Sequence, residues 1–256
     1  MEPNTQNLKP SVRPATSTQT APAAGAAPDI RRQYVNYAFY RVDPAWRRLP
    51  DAERARGKAE FERVLADWKN RALIIPYTLV GIRGDCDIML WRISERLEDF
   101  PAMTTALLAT GLGKYLATPY SYLAMTKRSM YVDKHEHPGQ DGRRLRIVPG
   151  ESKYLFIYPF TKTNDWYQVS KEERQKMMDV HIAVGHKYPT VKINTTYSFG
   201  LDDQEFVVAF ETDHPEHFLD LVMEMREHKV RLYTLKDTPI FTCVRGTVGD
   251  VLATLG

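Results

Sequence analysis

The chain has 256 residues, 43% of them hydrophobic, and its 35 basic and 32 acidic side chains leave a net charge of +3. A chain of that length buries a sizeable core, and so small a charge bias, with no Lys/Arg stripe interleaved with aromatics, excludes nucleic acid as the expected partner. Two distant cysteines, Cys86 and Cys243, argue against structural zinc and a disulfide scaffold, and no apolar run is long enough to span a membrane, so a soluble cytoplasmic protein is expected.

Residues 1–29 are rich in Pro, Ala, Ser and Thr and carry no aromatic side chain, which predicts a disordered tail. From Tyr34 to Tyr40 the pattern predicts a strand. A charged helix is expected from Asp51 to Asn70, with Phe61, Val64, Leu65 and Trp68 at helical spacing. Strands at Leu73–Arg83 and Asp87–Ile93, a helix at Phe100–Leu116 and a strand at Tyr122–Tyr131 complete a first unit over 30–132. Residues 133–151, rich in Gly, Pro, His and Arg, read as a linker.

The second unit, 152–256, repeats the order. A strand at Tyr154–Phe160 precedes a helix at Lys171–His186, announced by the capping pattern Ser170-Lys171-Glu172-Glu173. Strands at Val191–Phe199 and Glu205–Glu211, a helix at Glu216–Arg231 and a strand at Ile240–Arg245 follow. Trp46 and Glu53-Arg54 are echoed about 120 residues later by Trp166 and Glu173-Arg174, as a duplication would leave them. Two β-α-β-β-α-β units predict an α+β fold of duplicated ferredoxin-like halves forming a barrel.

His181 shares a helix face with Met177 and Val184-Gly185, so it points at the sheet. It reads either as a core histidine or as a neutral imidazole that ligates iron. In Tyr158-Pro159-Phe160-Thr161-Lys162 the proline predicts a strand end or an edge, which puts Tyr158 and Lys162 at a rim. His135 and His137 form an HxH pair without an evident third ligand, and His214, His217 and His228 read as polar positions around the fourth helix.

Tyr-Pro-Phe-x-Lys at 158–162, Asp165-Trp166-Tyr167, His181 with Gly185-His186-Lys187-Tyr188, and Ser198-Phe199-Gly200-Leu201-Asp202-Asp203 occur in this order. Together they resemble the chlorite dismutase-like superfamily, especially its coproheme decarboxylases of the actinobacterial type. The resemblance implies a homopentamer that binds iron-coproporphyrin III (coproheme) and turns it into heme b. Two propionates would be decarboxylated with hydrogen peroxide through a tyrosyl radical.

Carried onto this sequence, His181 would be the iron ligand, Tyr158 the redox tyrosine and Lys162 a propionate-positioning group, with Arg144 and Arg226 holding propionates. Ile193 occupies the place of the arginine that chlorite dismutases set over the iron, which disfavours chlorite chemistry. The resemblance implies a distal base from the linker, and His135, His137 or neither would fill that place. The alternatives are chlorite dismutation and a heme-binding protein without activity.

Overall fold

Strand β1 (Tyr34–Val42) is buried on both faces because its alternate side chains enter two different cores. The computed structural model describes residues 31–129, 131 and 145–256. After β1 come α1 (Asp51–Asp67), β2 (Leu73–Thr78), β3 (Ile88–Ser94), α2 (Asp99–Leu108) and β4 (Leu116–Met125). The second run comprises β5 (Tyr154–Lys162), the short α3 (Asn164–Gln168), α4 (Lys171–His186), β6 (Lys192–Tyr197), β7 (Phe206–Thr212) and α5 (Pro215–Arg226). It closes with β8 (Thr234–Lys236), β9 (Phe241–Arg245) and α6 (Val248–Ala253).

The strands pair antiparallel in the order β4-β1-β3-β2 in the first run and β9-β5-β7-β6 in the second, so each run has the ferredoxin-like order. Tyr77↔Arg245 and Thr78↔Val244 join β2 to β9. Met125↔Tyr197 joins β4 to β6, so the pairing returns to its start. Inside the ring lies one core that draws no residue from a helix, including Tyr37, Phe39, Trp91, Leu155, Val207 and Phe241. Phe39 and Phe241, one from each run, stack with ring centroids 4.1 Å apart.

Five expectations need correction. The strand expected at Tyr122–Tyr131 runs instead from Leu116 to Met125, paired along β1. The helix expected to reach Leu116 stops at Leu108, because the Thr110 hydroxyl donates to the Leu107 carbonyl and accepts the Gly113 amide, turning the chain. The first strand after α1 stops at Thr78 rather than Arg83, where the chain turns through Gly81 at φ 78°. Pro159 neither ends β5 nor marks an edge. β5 runs on to Lys162, pairing β7 from Tyr154 to Phe160 on one side, while on the other Pro159 falls between the β9 register, which ends at Ile157, and the β8 register, which begins at Thr161. No ladder hydrogen bond is needed from Pro159 there. The helix expected to reach Arg231 ends at Arg226, and Lys229–Tyr233 form a separate 3-10 turn.

The outer face of the first run is tightly packed. Trp46, Phe61, Leu65, Met103 and Leu107 fill it, and α6 adds Val251 and Leu252. A β-carbon on Gly57 of α1 would lie 2.8 Å from the Leu112 amide nitrogen and 3.0 Å from Trp46. Gly57→Val is therefore expected to destabilise the protein by roughly 1–3 kcal/mol, the range for overpacking. Gly84→Ala, which meets nothing within 4 Å, should stay within about 0.5 kcal/mol. Denaturant midpoints of the two variants measure the difference.

Candidate functional site

The outer face of the second run is packed differently. Among the described residues its apolar cluster holds six buried side chains, Phe156, Val184, Val191, Phe210, Phe218 and Leu221, against sixteen in the cluster over the first run. Along α4 only Val184 is buried, whereas α1 buries Gly57, Phe61 and Leu65. The inward stripe of α4 thus lies over β5, β6 and β7 with half-buried side chains and leaves its apolar surface incompletely covered.

Ser170 starts α4 by accepting the Glu173 amide at 3.2 Å and donating its hydroxyl to the Glu173 carboxylate at 3.1 Å. Eleven residues later the same stripe presents His181. Its Nδ1 is buried and has no hydrogen-bond partner among the described residues. Burial brings the imidazole down to about 4, and the charges of Lys162 and His228 act in the same direction. His181 is therefore neutral near pH 7, with a lone pair to donate. His228 precedes the 3-10 turn that packs against α4, and its Nε2 is also buried without a partner among the described residues.

The sheet side of the slot follows from strand alternation. Leu155 and Ile157 enter the barrel, so Tyr154, Phe156 and Tyr158 face the helices. The Tyr158 ring stacks on Phe210 at 5.8 Å and 25°. On β6, Ile193 faces α4 as well: its Cδ1 lies 3.8 Å from where Gly185 would carry a β-carbon.

Charge collects at one end of this slot. Arg226, the last residue of α5, and Arg231 bind the same Asp237 oxygen at 3.2 and 2.7 Å. All three reach Tyr158 electrostatically. Burial raises the phenol well above its ordinary value and Asp237 adds to that, while both arginines oppose it, so Tyr158 keeps its proton. Lys162 is buried, with its ammonium 4.3 Å from the centroid of the Trp166 ring. Burial brings Lys162 down to about 8, opposed by Glu205 and reinforced by Arg231. Such a lysine exchanges its proton near neutral pH.

The structure thus brings together His181, Tyr158, Lys162, Arg226 and Ile193 around one slot. Arg144, His135 and His137 lie outside the described residues. Arg231, Asp237 and His228 belong to the same neighbourhood; nothing in the sequence singles out the first two, and His228 reads there as a polar position around the fourth helix. The fold alone assembles them, through the 3-10 turn and β8, and no local motif marks them. A cleft of about 480 Å³ adjoins the slot between α4 and the 228–233 turn, lined in part by Met177, Val180, His228 and Tyr233. A larger concavity of about 580 Å³, between Leu73–Pro76 and Ile147–Glu151, holds none of these groups, and the chemistry assigns the site to the slot instead.

The residues fit an iron porphyrin. An orphaned neutral imidazole offers an iron ligand, and an under-packed apolar layer suits a flat macrocycle. Two guanidinium groups and an ammonium suit carboxylate substituents. Such a set can ligate iron, hold propionates, give up a hydrogen atom from a protonated phenol and pass a proton through Lys162.

Comparison with known proteins agrees. The chlorite dismutase family model matches residues 54–246. A coproheme decarboxylase of Staphylococcus carnosus is 31% identical over 220 residues, covering 78% of this chain and 86% of that protein. Another, from Mycolicibacterium smegmatis, is 29% identical over 180 residues, covering 70% and 75%. Among solved structures, a chlorite dismutase variant from Candidatus Nitrospira defluvii superposes with a TM-score of 0.79 at 25% identity, covering 86% of this chain and 94% of that one. With an orphaned imidazole facing a half-filled slot, and with these matches over most of its length, the chain belongs to the chlorite dismutase family.

Proposed function

We propose that this protein is a coproheme decarboxylase, which binds coproheme through His181 and uses peroxide to convert two of its propionates into vinyl groups. The observation that carries the reading is Tyr158, a phenol kept protonated by burial on the helix-facing side of β5, in the field of Arg226 and Arg231. The decarboxylases of S. carnosus and M. smegmatis support the choice of reaction.

In this reading coproheme is the substrate, and its iron supplies the reaction with peroxide that generates the oxidising equivalents. His181 gives its neutral lone pair to the iron. Arg226 and Arg231 exchange part of their contact with Asp237 for a propionate, and their forked donors set its orientation. Tyr158 relays the oxidising equivalent: it gives up its hydrogen atom and recovers one from the β-carbon of the propionate it faces. Loss of one further electron releases CO2 and leaves a vinyl group, so each propionate yields two electrons in all and consumes one peroxide. Lys162, balanced near its own titration, holds the carboxylate and returns protons to the site. Ile193 on β6 has no hydrogen to donate toward a ligand on the iron, which argues against sustained chlorite breakdown.

Tyr158→Phe keeps the ring and its stacking on Phe210 but has no O–H to lose. It is expected to bind coproheme and consume peroxide at the iron, while vinyl product falls roughly a hundredfold or more, the loss typical of removing a proton-transfer group. Peroxide titration with mass spectrometry of the porphyrin decides this, and wild-type product levels would overturn the mechanism. Lys162→Ala should instead accumulate the singly decarboxylated porphyrin.

His181→Ala should abolish the iron–imidazole stretching band in resonance Raman. In the porphyrin-free protein the depressed value of His181 has a stability consequence with a definite sign. The folded state binds fewer protons than the unfolded state between the ordinary value of 6.5 and about 4, so this contribution is present above pH 6.5 and lost as pH falls toward 4. His181→Gln should flatten that part of the unfolding-midpoint profile. An oxygen electrode should register little O2 from chlorite, and sustained evolution would favour chlorite dismutation.

A further inference from the structure

Away from the slot, the first turn of α5 gathers three metal-ligating groups that the proposed reaction does not use. β7 ends at Thr212, and His214 precedes Pro215, whose fixed φ starts the helix. This start places His214 outside the helix and His217 in its first turn, three residues on. Their rings stack with centroids 4.7 Å apart at 25°. Glu216 lies between them, its Oε1 3.1 Å from His214 Nδ1. Each of the three offers a ligand atom, and these atoms all lie within 4.8 Å of one another.

We propose that His214, Glu216 and His217 form a binding site for a borderline divalent transition cation, Zn2+ being the representative. The donor set of two imidazoles and one carboxylate selects this class, because Mg2+ and Ca2+ prefer all-oxygen shells. A tetrahedral ion with ligands at about 2.0–2.2 Å requires the three donor atoms to draw together. The side chains of His214 and Glu216 are exposed and His217 is half-buried, so rotation about their side-chain bonds suffices. The fourth position is left to water.

The neighbour of His217 supports the assignment. His217 Nδ1 lies 2.8 Å from the Thr190 hydroxyl in the loop before β6. That contact fixes the ring and leaves Nε2 for the ion, the usual way an outer partner orients a ligating imidazole. The positive end of the helix dipole opposes a cation here and limits affinity, while the charge of Glu216 offsets it. A bound ion would fasten the start of α5, whose other end carries Arg226, to the loop joining α4 and β6.

The test is calorimetric titration of the full, untagged, porphyrin-free chain with ZnCl2 in a large excess of Mg2+. Expected is a saturable site that weakens about tenfold or more in His214→Ala and in His217→Ala. It should persist in a His135→Ala/His137→Ala double variant, and Zn2+ should raise the unfolding midpoint of wild type but not of His217→Ala. Absence of saturable binding, displacement by Mg2+, or binding unchanged in His214→Ala and His217→Ala would overturn the proposal. So would loss of the site with the His135/His137 pair alone.

Discussion

The contact between α4 and the strands beneath it governs the rest of the molecule. A helix lying on a sheet gains about 1.5–3 kcal/mol for each large apolar side chain it buries, and α1 takes that gain with Phe61 and Leu65. α4 buries Val184 alone and spends the centre of its inward stripe on His181, a polar group with an unsatisfied buried nitrogen. An interface left open in this way costs stability that must come from elsewhere. It comes from the closed ring of strands, where Phe39 and Phe241 lock the two runs together, and from the dense layer over the first run.

The electrostatics of the slot follow from that same incompleteness. Burial removes water without replacing its hydrogen bonds, so each titratable group shifts toward its neutral form: His181 and Lys162 down, Tyr158 up. These are the protonation states that the proposed ligation, proton exchange and hydrogen-atom loss require. Asp237 is the counterweight. By holding Arg226 and Arg231 on one carboxylate oxygen it keeps two guanidinium groups together, despite their like charge, beside the phenol.

Much of this arrangement was legible in the sequence, for local reasons. The Ser170 cap phases α4 and so aims His181. Strand alternation puts Tyr158 on the helix side, and the repeated element order, with its echoed Trp46 and Trp166, announces two runs of one strand order. Tertiary contacts decided what was not legible. Pro159 looks like a strand end until β8 and β9 are seen to leave a gap opposite it. Arg231 and Asp237 become partners only because the chain leaves α5 early, turns and adds β8, and nothing near either residue forecasts that. His214 and His217 read as surface polar positions until Pro215 stacks them.

The two runs share one topology yet carry different obligations, which has a bearing on how the family can change. Where a β-carbon added to Gly57 of α1 would press on the Leu112 backbone, substitutions act on whether the chain folds at all and so on how much protein a cell holds. Over the second run the layer is loosely filled, so a change of side-chain shape there meets fewer buried neighbours. Two runs of one strand order thus divide the work, the first supplying a densely packed support and the second a looser layer beside the candidate site.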